Sequence, residues 1–316
     1  IARRQRQMCI RDRDYRQAVR TQLITGIANT YYTLLMLDEQ LDLSRQTETA
    51  WKETVASTRA LMNAGLANES AVSQMEAAYY QVQSSVLDLQ QQISQVENSL
   101  ALLLAETPRS YERGMLAKQQ FPTDLSIGIP VRMLSSRPDV RSAERTLEAA
   151  FYGTNAARSA FYPSITLSGS AGWTNSAGSL ILNPGKFLAS AVGSLTQPLF
   201  NKGQVVAQYR IARAQQEEAA LGFQQTLLNA GSEVNDALIA YQTSQGKRLL
   251  LDKQIASLQT ALQSTSLLME HGNTPYLEVL TARQSLLSAQ LSQTANHFTE
   301  IQSLINLYRA LGGGQE

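Results

Sequence analysis

The side chains with the most reactive chemistry in this sequence are few: one cysteine, Cys9, and two histidines, His271 and His297. A disulfide needs a second cysteine, a structural zinc site needs about four Cys or His ligands, and a thiol nucleophile needs a partner base. Three such residues in one chain do not meet those demands, so no metal, cofactor or thiol chemistry is expected, and both histidines read as polar helix residues. Neither a glycine-rich phosphate loop nor a nucleophile elbow occurs. No catalytic residue is assigned and an enzyme is not expected. With 27 Lys+Arg against 26 Asp+Glu, the formal charge of +1 also argues against nucleic acid as a partner.

With chemistry set aside, the elements carry the reading. The 316 residues include only 8 prolines and 18 glycines, and Gln, Ser, Ala and Leu are abundant, a composition suited to long coiled helices. Sliding the sequence by 207 positions superimposes two segments. Leu61, Met62 and Gly65 fall on Leu268, Met269 and Gly272; Val72 falls on Val279; Leu100 and Leu104 fall on Leu307 and Leu311. Upstream, Ile27 and Asn29 fall on Val234 and Asp236. Each copy reads as a helix, a glycine-centred turn and a returning helix. Leu23, Ile27, Thr30, Leu34, Leu37 and Leu41 form a coiled-coil seam, as do Leu287, Leu291, Thr294, Phe298, Ile301, Ile305 and Tyr308. The run from Gln204 to Met269 would be on the order of 100 Å long as one helix. By themselves these helices suit a rod or scaffold.

The segment between them does not. Ser164 to Trp173 places Ile165, Leu167, Gly169, Ala171 and Trp173 on one face, and Ser164, Thr166, Ser168, Ser170 and Gly172 on the other. A second stretch, Phe187 to Leu199, alternates too, although Val192 breaks its pattern. Strands of ~9–11 residues with this alternation suit a transmembrane β-barrel, and a soluble hairpin packed on a helix would show the same pattern. Two strands cannot close a barrel. Because the second helical hairpin is preceded by a β-pair, the first is expected to be preceded by one as well, so the chain reads as N-terminally truncated. The expected organisation is an atypical basic, non-native end at 1–13, a first helical hairpin at 14–105 and a connector at 106–136. A helix at 137–162, a β-hairpin at 163–200, a second helical hairpin at 201–312 with its tip near 271–276, and a tail at 313–316 follow.

Three blocks are specific. GIPVRMLSSRPDVRSAE spans Gly128 to Glu144, AARSAFYPSITLSGSAGW follows, and TQPLFNKGQ comes after the second strand. Together they resemble the signature blocks of the TolC/OprM-like outer-membrane efflux lipoproteins, and the similarity runs from about Asp14 to Gly312. The resemblance implies a mainly α fold with a transmembrane β part, in which long helical hairpins build an α-barrel and the β-hairpin joins a trimeric 12-stranded β-barrel. It implies an outer-membrane location with helices reaching into the periplasm. It further implies passive conduction of drugs or other small toxic compounds from an inner-membrane resistance-nodulation-division pump, through a periplasmic membrane-fusion adaptor. The signal peptide and acylated cysteine of that family have no counterpart here. Cys9 lacks the small-residue and apolar context of a lipid-attachment site, so that role is not carried to it.

The same resemblance nominates residues. Glu278 matches the family's first acidic position at the periplasmic constriction, where threefold symmetry makes a ring of carboxylates, and Thr281 stands where some relatives carry a second. The alternative for Glu278 is a solvated residue at a helix N-terminus. Gly65, Leu66, Gly272, Asn273 and Thr274 are the expected adaptor-contact tips. Trp173 is the expected membrane-interface anchor, or else a buried strand residue. Two other functions stay open: a periplasmic coiled-coil structural or adaptor protein, and the same fold serving type I secretion or metal-ion efflux.

Overall fold

The computed structural model describes residues 2–119, 135–173, 187–197, 200–270 and 276–313. Where Gly and Pro are scarce the chain runs as helix: α1 spans Ala2–Asn63, α2 Glu69–Leu104, α3 Pro138–Ser159, α4 Gln204–Glu270 and α5 Tyr276–Ala310. No break separates 1–13 from the first hairpin, because α1 is continuous from Ala2. Arg and Gln are good helix formers, and the first proline lies far downstream at Pro108. The tips keep the register of the repeat. Helix α1 ends at Asn63 and α4 at Glu270, while α2 starts at Glu69 and α5 at Tyr276, both pairs at the 207-residue offset.

The chain divides into two compact units, residues 1–138 with 229–316, and residues 139–228. In the first unit α1 packs on α2 through Leu34, Leu37, Ile93 and Leu100, and farther down through Trp51, Met75, Ala78 and Val82. The equivalent join of α4 with α5 uses Val234, Ala237, Leu307 and Ala310. Ile27 and Leu100 of the first join thus have their repeat partners, Val234 and Leu307, in the second. Leu35 of α1 and Ile301 of α5 bury together with Leu116, which sits in a single 3₁₀ turn, Leu116–Lys118. Each such side chain removed from water contributes about 1.5–3 kcal/mol, so apolar seams hold this unit together.

Two arginines, one within the connector and one just after it, tie this stretch to the hairpins. Arg113 donates to Asp38 through Nε at 2.5 Å and Nη2 at 3.1 Å, and to Glu97 through Nη1 at 2.7 Å. Burial alone would lower the Arg113 pKa, but these two carboxylates outweigh it and raise it. Arg137 donates to the Ala310 carbonyl at 3.0 Å and to Glu233 at 2.9 Å, closing the C-terminal end of α5.

The second unit holds α3, a two-stranded antiparallel sheet of β1 (Ser164–Trp173) and β2 (Phe187–Thr196), and the first turns of α4. Pro138 opens α3, and the Asp139 carboxylate accepts from the Val140 N–H at 2.9 Å. The helix stops at Ser159, short of the expected 162. Phe161 and Tyr162 donate to the Arg158 and Ser159 carbonyls as tight turns, and Pro163 then forces the chain into extended geometry.

Candidate functional site

The first tip is built from its backbone. Gly65 adopts φ +76°, its N–H donates to Met62 O at 2.9 Å, and the Leu66 N–H reaches back to Leu61 O at 2.9 Å. This Schellman arrangement satisfies the last carbonyls of α1 and turns the chain. A Cβ on Gly65 would meet nothing within 4 Å, so its left-handed backbone alone demands glycine. Asn68 then caps α2, its Oδ1 accepting from Ala71 N at 2.9 Å. Leu66 projects from the turn with 77% of its surface exposed. Beside it, an Arg59–Glu76 ion pair bridges α1 and α2. Lys52, Tyr79 and Tyr80 line the groove there.

At the second tip, His271, Gly272, Asn273 and Thr274 lie outside the described residues. Helix α5 starts just after them, with Glu278 in its first turn and exposed. Thr281, one turn on, is exposed as well and donates to Leu277 O at 2.8 Å. It borders a polar groove with Gln254, Gln284, Ser285, Ser288 and Ser292. Val279 is buried, as is its repeat partner Val72. The position equivalent to Glu278 in the first copy is Ala71, which is 0% exposed. The acidic position is therefore particular to the second copy.

Sequence reasoning missed a junction near this tip. The Arg283 guanidinium lies 5.5 Å from the ring centroid of Trp51, which is 1% exposed. Burial lowers the Arg283 pKa, opposed by the Glu53 carboxylate. Among the described residues its Nε meets no hydrogen-bond partner. No local spacing announces this pair, since the two residues come from opposite ends of the chain. Among the described residues no group of three or more His, Cys, Asp and Glu is placed to hold a metal ion.

In the second unit, strand register sorts the side chains. Ile165 pairs with Leu195, Leu167 with Gly193, Gly169 with Ala191 and Ala171 with Ala189, a wholly apolar face. On the other face Ser164 pairs with Thr196, Thr166 with Ser194 and Ser170 with Ser190, the last pair joined hydroxyl to hydroxyl at 2.8 Å. Val192, which interrupts the alternation, sits opposite Ser168 on this polar face. The apolar face is open, with Leu167 84% exposed. Trp173 pairs with Phe187 at the end of the sheet away from the helices. Among the described residues no helix is long and apolar enough to cross a membrane, which says nothing of strands.

The family profile described as "Outer membrane efflux protein" matches residues 1–106 and 129–313. The chain belongs to the outer membrane efflux protein family. It is 29% identical over 311 residues to the cation efflux system protein CusC of Escherichia coli O6:H1, covering 98% of this chain and 68% of that protein. It is 32% identical over 308 residues to the solvent efflux pump outer membrane protein SrpC of Pseudomonas putida, covering 94% of this chain and 64% of SrpC. The outer-membrane channel OprN superposes with a TM-score of 0.90 at 27% identity, over 96% of this chain and 69% of OprN. A CusC crystal structure superposes at 0.88 with 28% identity, over 98% of this chain and 72% of that one. Membership of the outer membrane efflux protein family gives the chain its role and its place: it is part of an efflux channel of the outer membrane. The matched proteins favour this duct over a periplasmic structural or adaptor coiled coil.

Proposed function

We propose that three copies of the full protein form a passive export duct, each giving strands to one 12-stranded barrel and helical hairpins to a periplasmic tunnel. Segregation of the β-hairpin carries this reading. A sheet with one exposed apolar face and one face of mainly hydroxyl residues, interrupted by Val192 and Leu188, suits lipid on one side and water on the other. In such a trimer Glu278, exposed in the first turn of α5, supplies a ring of three carboxylates at the periplasmic constriction, with Thr281 one turn farther in. Gly65 and Leu66, with Gly272, Asn273 and Thr274, form the tips that receive a periplasmic adaptor, and the adaptor couples the duct to an inner-membrane pump. The exposed Leu66 supports that role, because an apolar side chain held at a rigid turn is suited to an apolar groove. Trp173 anchors the hairpin at the outer water interface.

The substrates of this reading are small organic toxicants. A second reading, metal-ion efflux, draws on the similarity to CusC. Expression in a Gram-negative host that lacks its own outer-membrane efflux channel, with matched pump and adaptor, separates the two. Restored tolerance to toluene and dyes supports the first, and restored tolerance to copper or silver alone supports the second. Membrane fractionation with crosslinking tests the duct itself. A trimer in the outer membrane is expected, and a soluble periplasmic species would overturn the proposal.

A further inference from the structure

Between Glu148 and Glu217 the sequence contains no acidic residue, yet it holds Arg158, Lys186, Lys202, Arg210 and Arg213. This stretch encloses the whole β-hairpin and the helix ends beside it. Four of the five bases lie on the helix side. Arg158 is in the last turn of α3, Lys202 lies two residues before the start of α4, and Arg210 and Arg213 lie in its first turns. All four are exposed. The same end of the hairpin carries a set of exposed aromatics. Phe161 and Tyr162 precede β1, and Phe200, 98% exposed, follows β2. Gln197 Nε2 donates to the Phe161 carbonyl at 3.1 Å, tying the two chain ends together, and the Phe161 ring meets Tyr209 edge to face at 5.9 Å.

The backbone adds an independent sign. Lys202 adopts φ +45°, next to Gly203 at φ +76°. A lysine in the left-handed region is strained where Gly or Asn would be cheap, and such residues cluster where a side chain is held for use. Ten strand residues at ~3.4 Å each, tilted by ~45°, rise about 24 Å, close to the ~25 Å apolar band of an outer-membrane barrel. The aromatics and bases, which flank the Ser164–Thr196 end of the sheet in sequence, then fall at the lower edge of that band.

From this we infer that Phe161, Tyr162 and Phe200, with Arg158 and Lys202, form a collar that binds anionic phospholipid headgroups of the periplasm-facing leaflet. The aromatic rings lie at the glycerol level, and the two cations engage lipid phosphate. The inference rests on the outer-membrane duct reading. A basic residue at an anionic surface is worth about fivefold in association, so the collar distinguishes anionic from zwitterionic lipid by more than its rings could.

The test uses the membrane-inserted full protein carrying Tyr162→Trp, reconstituted in vesicles of phosphatidylcholine or of phosphatidylcholine with phosphatidylglycerol. The added tryptophan emission is read as the difference from the unsubstituted protein, with brominated versions of either lipid as quenchers. Stronger quenching by brominated phosphatidylglycerol, reduced about fivefold in association by Lys202→Asn and further by Arg158→Gln, is expected. Lys202→Asn suits the left-handed backbone, so loss of the lipid preference is not loss of the fold. Equal quenching by both lipids overturns the anionic site. If the new tryptophan is unquenched while the unsubstituted protein is quenched, the collar itself is wrong and the membrane reading stands. If neither protein is quenched, the hairpin is not in lipid, and the duct reading fails with the collar.

Discussion

At the residue scale, charge and packing divide between neighbouring positions on α5. Glu278 is exposed and Val279 is buried, so a change at 278 alters the local field with little effect on the core. In the trimeric membrane channel, Glu278→Gln is expected to lower cation preference without loss of assembly, read as a shift of reversal potential in planar bilayers under a salt gradient. An unchanged reversal potential would remove Glu278 from the constriction. Trp51 and Arg283 set two effects against each other. Trp51 fills the seam with Met75, Ala78 and Val82, and Trp51→Ala is expected to cost about 3–5 kcal/mol in urea unfolding. Arg283→Met keeps most of the stem while removing both a cation–π contact and a desolvation cost, so a change of less than about 1.5 kcal/mol is expected. Neither this pair nor the Arg113 clamp was legible in the sequence. Arg113 and Asp38 are 75 residues apart, and polar pairs at such separations leave no periodic trace.

At the element scale the sequence was most informative, because helices and strands repeat their burial at short range. The seam positions Leu34 and Leu37 are buried, as are Thr294 and Ile301, and the tip boundaries keep the offset of the repeat. One end of each seam did not follow. Leu23 and Tyr308 are exposed despite their spacing, since periodicity marks a face and only a packed neighbour buries it. The β2 alternation was legible, but the pairing of Val192 with Ser168 required the strand register. The first tip gives a paired prediction. Gly65→Ala is expected to cost about 1 kcal/mol through its backbone, because a Cβ there has open space, and Gly65→Asn is expected to cost less. Asn68→Ala is expected to cost about 1 kcal/mol as well, through the lost cap. Thermal melts of the single and double variants check both costs and whether they add.

For the whole molecule, the sheet register makes the two faces testable against each other. Leu167→Lys puts a charge on the apolar face at mid-strand, where about 2–4 kcal/mol of membrane stability is at stake, and a sharp fall in outer-membrane trimer is expected. Thr166→Lys, one residue away on the hydroxyl face, is expected to assemble normally and to change single-channel conductance. Equal loss of trimer in both variants would mean that the two faces do not see different solvents.

The matched ends of α1 and α4, and the matched starts of α2 and α5, are what a duplicated gene segment leaves behind. In the first copy the position equivalent to Glu278 is Ala71, sealed inside the helix pair and closed to innovation. In the second copy that position is open, so it can drift and be selected without cost to the core. The repeat thus gives the chain two hairpins of one plan, and only in the second is this position open to a change of charge.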